Sequence, residues 1–256
     1  MVFIHGLGGC WQNWLENLPA VALHRRVVAL DLPGFGESEM PEGDVSITNY
    51  AACVEALCEH LELGEAVVVG NSMGDFSAGE RAIRHPQRVE RLERLVLVDA
   101  AGISIVDLRR QPMMTLVRLL AAQSNSVARE RAVLLRPRLR HLVYRSVMRH
   151  PTRLALDLMA AQGSSSGGPG FLLAMNALLS YDFRERLPDI CCPTLVVHGQ
   201  EDALVPVADA REFERLIPRS RVVILDETGH VPMLERPGAF NRALLGFLAE
   251  EDSVTP

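Results

Sequence analysis

Short runs of aliphatic and β-branched residues recur along the chain with helix-forming segments between them. The runs fit strands at 2–5, 26–31, 66–70, 94–99, 194–198 and 221–225. The segments between them fit helices at 11–18, 47–61, 73–84, 207–216 and 237–249. A helix between successive strands is the crossover that parallel pairing needs, so the expected class is α/β: a mostly parallel sheet flanked by helices. Runs such as Ala66-Val67-Val68-Val69 show no polar alternation, as befits strands covered on both faces. A chain of 256 residues with 48% hydrophobic composition supplies a core large enough for that arrangement.

The alternation breaks between the strand ending at Asp99 and the one starting at Thr194. From Ile103 to Leu187 no strand is evident, only helical sequence rich in Leu, Met and Arg. A glycine-serine stretch from Gly163 to Gly170 interrupts it and reads as mobile. The expected organisation is therefore an α/β core at 1–102 and 188–256, with a helical cap or lid inserted at 103–187. Insertions at that point lie above the carboxyl ends of the strands, where open sheets bind ligands. A separate helical domain without a catalytic part is the alternative. The insert holds 13 Arg against 5 acidic residues, and the remainder 13 Arg against 27. A basic cap would draw in anionic substrates; solvated helix faces pairing with the acidic core are the plainer reading.

Gly70-Asn71-Ser72-Met73-Gly74 lies between the run at 66–69 and the helix at 73–84. A serine at so tight a strand-to-helix turn is strained, and flanking glycines avoid collisions. The turn pushes the hydroxyl clear of the sheet, beside a helix N-terminus that favours negative charge. Serine needs a neighbouring base, itself oriented by an acid, to act as a nucleophile. Asp202 follows the strand at 194–198, and His230 follows the strand at 221–225. Both therefore fall in loops on one sheet edge, where distant residues converge. Backbone N–H groups for an oxyanion are expected from Met73 and from Leu7, in the glycine-rich loop His5-Gly6-Leu7-Gly8-Gly9. That loop lacks the order of a dinucleotide or phosphate-binding motif.

His5-Gly6-Leu7-Gly8-Gly9, Asp31-Leu32-Pro33-Gly34-Phe35-Gly36-Glu37-Ser38, Gly70-Asn71-Ser72-Met73-Gly74, Gly199-Gln200-Glu201-Asp202 and Gly229-His230 occur in one order over nearly the whole chain. Together they resemble the α/β-hydrolase fold family. The resemblance implies Ser72, Asp202 and His230 as catalytic triad, Leu7 and Met73 as oxyanion donors, and no cofactor. Asp31–Ser38 is read as a structural turn. Three departures stand out. The strand pair that usually precedes the His-Gly strand is missing before Met1. Asp75 occupies a position that is usually small, where its carboxylate suits the helix dipole but crowds the packing and would raise the pKa of a nearby His230. Asp99 ends the preceding strand, where some relatives place their acid; Asp202 is preferred because Gly199, Val205 and Pro206 surround it in the expected context.

The function implied is a serine hydrolase acting on carboxylic esters through an acyl-enzyme. The alternatives are carbon–carbon bond hydrolysis of vinylogous diketones, a lactonase, and a non-catalytic ligand receptor. The carbon–carbon hydrolases share the elbow wording. They usually carry Gly-Pro-Gly after the His-Gly and an aromatic after the triad His, where this chain has Gly8-Gly9-Cys10 and Val231. Phe171 and Met175, with Leu120 and Met159, are candidate pocket residues, although at helical spacing they equally suit a cap core. His5 reads as a structural hydrogen-bonder and His198 as a strand-end residue. His24, His60, His85, His141 and His150 read as helix or surface positions.

A net charge of −6 argues against nucleic acid as a partner. No apolar run is long enough for a membrane span, and no signal peptide is visible. The expected partner is a small ester or related acyl compound, and the expected location is cytoplasmic. Cys10, Cys53, Cys58, Cys191 and Cys192 have no metal spacing and suit a reducing compartment. All 26 basic residues are arginine, which excludes lysine-nucleophile chemistry.

Overall fold

A computed structural model describes residues 1–84, 92–104, 131–165 and 168–250. His85 and Leu120 lie outside the described residues, as does much of the expected insert. Six strands, β1 (Val2–Ile4), β2 (Val28–Leu30), β3 (Ala66–Asn71), β4 (Leu92–Val98), β5 (Thr194–Gly199) and β6 (Ser220–Leu225), form one parallel sheet. Their order is β2-β1-β3-β4-β5-β6. β2 is shorter than its sequence run because its partner β1 offers three residues, paired from Val2 with Val28 to Ile4 with Leu30.

Side chains alternate across the pleat and build two cores. One face carries Val2, Ile4, Val68, Leu95, Leu97 and Val196. It is covered by α2 (Ile47–His60), α3 (Met73–Arg84) and α8 (Val207–Leu216), with Tyr50, Phe76 and Phe213 fully or almost fully buried against it. The opposite face carries Phe3, Val67, Val69, Val96, Val98 and Val197. There α9 (Pro232–Glu235) and α10 (Pro237–Ala249) pack Met233, Phe240 and Leu244 beside Trp14. Burial on both faces is why the strand runs lack polar alternation.

The helix expected at 11–18 is replaced by a 3-10 turn at Trp11–Trp14 and a short α1 at Leu18–Ala22. Side-chain hydrogen bonds and a proline account for the break. Asn13 Oδ1 accepts the Cys10 N–H at 3.0 Å, and Asn17 Nδ2 donates to Met233 O at 3.2 Å. Such bonds compete with a helix, and Pro19 starts one more readily than it continues one.

Between β4 and β5 the described residues contain no strand. They form α4 (Arg131–Leu134), α5 (Pro137–Tyr144), α6 (Leu156–Ser165) and α7 (Phe171–Ser180), with 3-10 turns at Pro151–Arg153 and Arg184–Asp189. The start of the glycine-serine stretch is helix, because α6 runs through Gly163 to Ser165. Two contacts hold its flanks: Ser165 Oγ donates to Gly9 O, and Gly170 N donates to Gly34 O at 3.1 Å. The mobile segment expected there is thus, where described, docked on two loops of the core.

The chain leaves β1 toward β2 on one side and returns to the other side as β3. The loops after β1 and β3 therefore diverge and leave a crevice at their carboxyl ends, the usual ligand position in open α/β sheets. Gly6–Gly9 and Ser72 stand there.

Candidate active site

Ser72 directly follows β3 with φ +52°, a left-handed backbone that non-glycine residues seldom adopt. Ser72 N donates to Val98 O and Asp75 N donates to Ser72 O, each at 3.0 Å. These bonds hold the apex between β4 and the first turn of α3. A Cβ on Gly70 would stand 2.4 Å from the backbone of Gly74, and one on Gly74 would stand 2.5 Å from Ile4 O. Both flanking glycines are therefore required by close backbone approach.

His230 and Asp202 meet although 28 residues separate them. His230 Nδ1 and Asp202 Oδ2 are 2.6 Å apart, and both side chains are buried. Asp202 Oδ1 accepts the N–H groups of Leu204 at 2.8 Å and Val205 at 3.1 Å. Burial pushes the Asp202 pKa up, but the His230 ring and these backbone donors outweigh it and leave the carboxyl below its ordinary value. Asp202 is thus an ionised acceptor that fixes one nitrogen of the imidazole and leaves Nε2 available. Among the described residues no hydrogen bond joins Ser72 Oγ to that ring; such contacts commonly tighten only when substrate is bound.

The elbow and the histidine loop are tied through Asn71, whose Nδ2 donates to Val98 O at 3.0 Å and to His230 O at 3.2 Å. His230 N donates to Val147 O at 2.8 Å. Glu235 accepts from Gly229 N at 2.8 Å and His150 N at 2.9 Å, which clamps the same loop. Sequence reading missed Asn71, Val147 and Glu235 as supports. Asn71 lay inside the elbow motif, but nothing in its spacing announced a partner 159 residues away.

Met73 opens α3, so its N–H has no partner within the helix. Leu7 sits in the loop closed by Gly9 N donating to Gly6 O at 3.0 Å. Gly6 lets this loop approach the elbow, since a Cβ there would stand 2.9 Å from Asn71 Oδ1 and 3.3 Å from Ser72 Cβ. Phe171 and Met175, both buried, belong to the apolar cluster that includes Phe35, Met73 and Phe76. Met159 lies in the cluster on the other face.

Asp75 differs from expectation. It is fully buried; Oδ2 accepts Ala101 N at 3.0 Å, and Oδ1 has no hydrogen-bond partner. Burial pushes its pKa well above the usual carboxylate range, a shift that opposes the charge which would serve the helix dipole. His5 is the structural hydrogen-bonder expected: Nδ1 is 2.7 Å from Gly6 O, and Nε2 accepts Leu32 N at 3.0 Å. Asp31 is structural too, accepting Trp11 N at 2.7 Å and Glu37 N at 3.0 Å.

Asp99, Asp202 and His230 each offer one ligand atom within 4.8 Å of the others. A tetrahedral ion with ligands at about 2.0 Å would hold its donor atoms about 3.3 Å apart. The 2.6 Å bond between His230 and Asp202 is shorter, so this pair is arranged to share a proton rather than a cation.

The chain matches the family described as alpha/beta hydrolase fold over residues 1–237. It is 32% identical to a Pseudomonas putida protein named dihydrolipoyllysine-residue acetyltransferase component of acetoin cleaving system. That match covers 97% of this chain but only 63% of the relative's length. It is 29% identical to a 2-hydroxy-6-oxo-2,4-heptadienoate hydrolase of Pseudomonas putida, over 98% of this chain and 90% of that one. A thermophilic esterase from Thermogutta terrifontis superposes with a TM-score of 0.74 at 25% identity, covering 96% of this chain and 88% of that one. Sheet order, strand-to-helix elbow and family match agree, and the chain belongs to the α/β-hydrolase family.

Proposed function

We propose that this protein is a serine hydrolase that cleaves carboxylic esters through an acyl-enzyme. One coincidence carries the reading: a serine held at φ +52° and a 2.6 Å Asp–His hydrogen bond stand at the same edge of one sheet. Ser72 Oγ attacks the ester carbonyl while His230 Nε2 takes its proton. The carbonyl π electrons move to oxygen, and the N–H groups of Leu7 and Met73 receive the oxyanion. Collapse expels the alcohol, which takes the proton from His230 and leaves an acyl-serine. Water, deprotonated by His230, then attacks the acyl carbon, and collapse breaks the bond to Ser72 Oγ, which takes the proton back from His230 as the acid leaves. Asp202 holds the imidazole in the tautomer that keeps Nε2 free and stabilises the imidazolium. The reading uses no cofactor.

In the same reading residues 103–187 are the cap. Two contacts support this: Gln162 Nε2 donates to Asn13 Oδ1, and Ser165 Oγ donates to Gly9 O, beside the oxyanion loop. Phe171 and Met175 then form the apolar wall of the acyl site.

A second reading, carbon–carbon bond hydrolysis, is favoured by the relative named a 2-hydroxy-6-oxo-2,4-heptadienoate hydrolase. Val231 after His230 and Gly8-Gly9-Cys10 after His5-Gly6-Leu7 weigh against it, and a lactonase would use the same groups. Short- and medium-chain p-nitrophenyl esters, a vinylogous diketone and a lactone panel, assayed with wild type and Ser72→Ala, separate these activities. Ester turnover abolished by Ser72→Ala is expected. Undiminished turnover in that variant, or none in the wild type, would refute the ester mechanism.

A further inference from the structure

The proposed reaction uses one carboxylate against His230, yet the fold brings two. Asp99 follows β4 with φ +49°, and its side chain is fully buried. Oδ1 accepts the Gly199 N–H at 2.8 Å. Oδ2 is buried without a hydrogen-bond partner. One oxygen of Asp99, one oxygen of Asp202 and one ring nitrogen of His230 all lie within 4.8 Å of one another.

Among the described residues no ion pair supplies a positive charge to hold both carboxyls ionised. Among the described residues no arginine pairs with either. His198, on β5, has Nε2 3.8 Å from Asp99 Oδ1 and 3.6 Å from Asp202 Oδ2. That nitrogen is bonded to Val205 O at 3.1 Å, and burial lowers the pKa of the ring, so His198 is neutral. Glu235, on α9, and Asp209, on α8 beyond His198, only add negative potential. Among the described residues beside the pair, a cation arises at His230, after it takes a proton. Two carboxyls this near each other, one with an orphaned oxygen, form a hydrogen bond only if a proton lies between them.

We propose that Asp99 is a positioning residue of the triad, which keeps its carboxyl proton and donates it to Asp202, so that the pair faces His230 with a single negative charge. The left-handed backbone at Asp99 then has a purpose: it turns the carboxyl from the end of β4 toward the loop after β5. Asp202 gains a fourth donor, besides Leu204 N, Val205 N and His230 Nδ1, and its rotamer is held from every side. Burial and the charge of Asp202 both push the Asp99 pKa far up, in keeping with a retained proton. Removal of Asp202's charge should let Asp99 ionise and take up part of its role.

The proposal rests on the serine-hydrolase reading, and two independent readouts separate their failures. The first is the infrared C=O stretch of protonated carboxyls in the full chain at neutral pH. A component lost in Asp99→Asn, and distinct from that lost in Asp75→Asn, is expected; no loss in Asp99→Asn overturns the proposal whether or not the protein hydrolyses esters. The second is the pH profile of p-nitrophenyl ester turnover. Asp99→Asn keeps a donor at the same place, so kcat should fall less than tenfold while an alkaline inflection of the wild-type profile disappears. Asp202→Asn should cost about ten-thousand-fold, and Asp99→Asn/Asp202→Asn at least tenfold more. Asp99→Asn as damaging as Asp202→Asn would make Asp99 the ionised acid. A profile superimposable on wild type would leave it purely structural. Either result refutes the proposal.

Discussion

The elbow should be a point of stored strain, and Ser72→Gly should release it. Ser72 is the apex residue at φ +52°. A left-handed backbone costs an L-residue about 1–2 kcal/mol, whereas glycine adopts it freely. Glycine also loses more freedom on folding, which returns about 0.5–1 kcal/mol. Both hydrogen bonds at the apex, Ser72 N to Val98 O and Asp75 N to Ser72 O, are backbone bonds and survive the change. The net expectation is a gain of about 0.5–1 kcal/mol. For a chain of this length, an unfolding entropy of about 2.1 cal/mol/K per residue makes that about 1–2 °C in Tm. Ser72→Ala is the control, because it removes the hydroxyl but keeps the Cβ and the strain. Thermal and urea melts of wild type, Ser72→Ala and Ser72→Gly should rank glycine highest, with ester turnover lost in both variants. Ser72→Gly no more stable than Ser72→Ala would refute the claim that the apex is strained.

Three further outcomes follow from contacts elsewhere. Gly199→Ala places a Cβ 2.1 Å from Gly229 O and 2.5 Å from Thr228 O; the loop carrying His230 must move, costing about 1–3 kcal/mol in urea melts and about a hundredfold in kcat. Wild-type kinetics in that variant would show that the loop position is not critical. Asp75→Asn tests the raised pKa of the buried acid through pH. The folded pKa is raised, so Asp75 contributes most stability below its unfolded value, and that contribution is lost as pH rises toward the folded one. The difference between Asp75→Asn and wild type should therefore move in favour of the variant from pH 4 to pH 8, and a pH-independent difference would contradict the assignment. Tyr181→Phe removes a hydroxyl bonded to Glu80 on α3, while Glu80 keeps Arg84 at 2.7 Å and Arg186 at 3.1 Å. It should cost about 1 kcal/mol in a chemical melt; a loss above about 3 kcal/mol would mean that this ion cluster depends on the tyrosine.

The class of fold was legible because burial on both faces leaves uninterrupted β-branched runs, and the helices between them force parallel pairing. The long helices at 47–60, 73–84, 207–216 and 237–249 were legible for the same local reason, a 3.6-residue apolar stripe. The segment at 11–18 was not, because Asn13 and Asn17 spend their side chains on partners that local periodicity does not register. Gly163–Ser165 read as loop by composition, but Ser165 is held to Gly9 across 156 residues and the helix continues to it.

At the site, sequence alone determined which groups stand at the carboxyl edge of the sheet: Ser72 in a turn that only glycines can flank, Asp202 after β5 and His230 after β6. Those placements follow from chain order and strand ends, which local patterns carry. Tertiary structure alone decided the charge states. Asp75 lies where a carboxylate suits a helix dipole, yet its burial pushes the pKa well up, against that charge. Asp99 and Asp202 each follow a strand, and the sequence favoured Asp202 through its Gly199, Val205 and Pro206 neighbours without assigning a charge to either. Only packing puts His230 and two backbone N–H groups on Asp202, and leaves Asp99 with one N–H and the charge of its neighbour. A proton is assigned by the sum of burial and nearby charge, and that sum exists only in three dimensions.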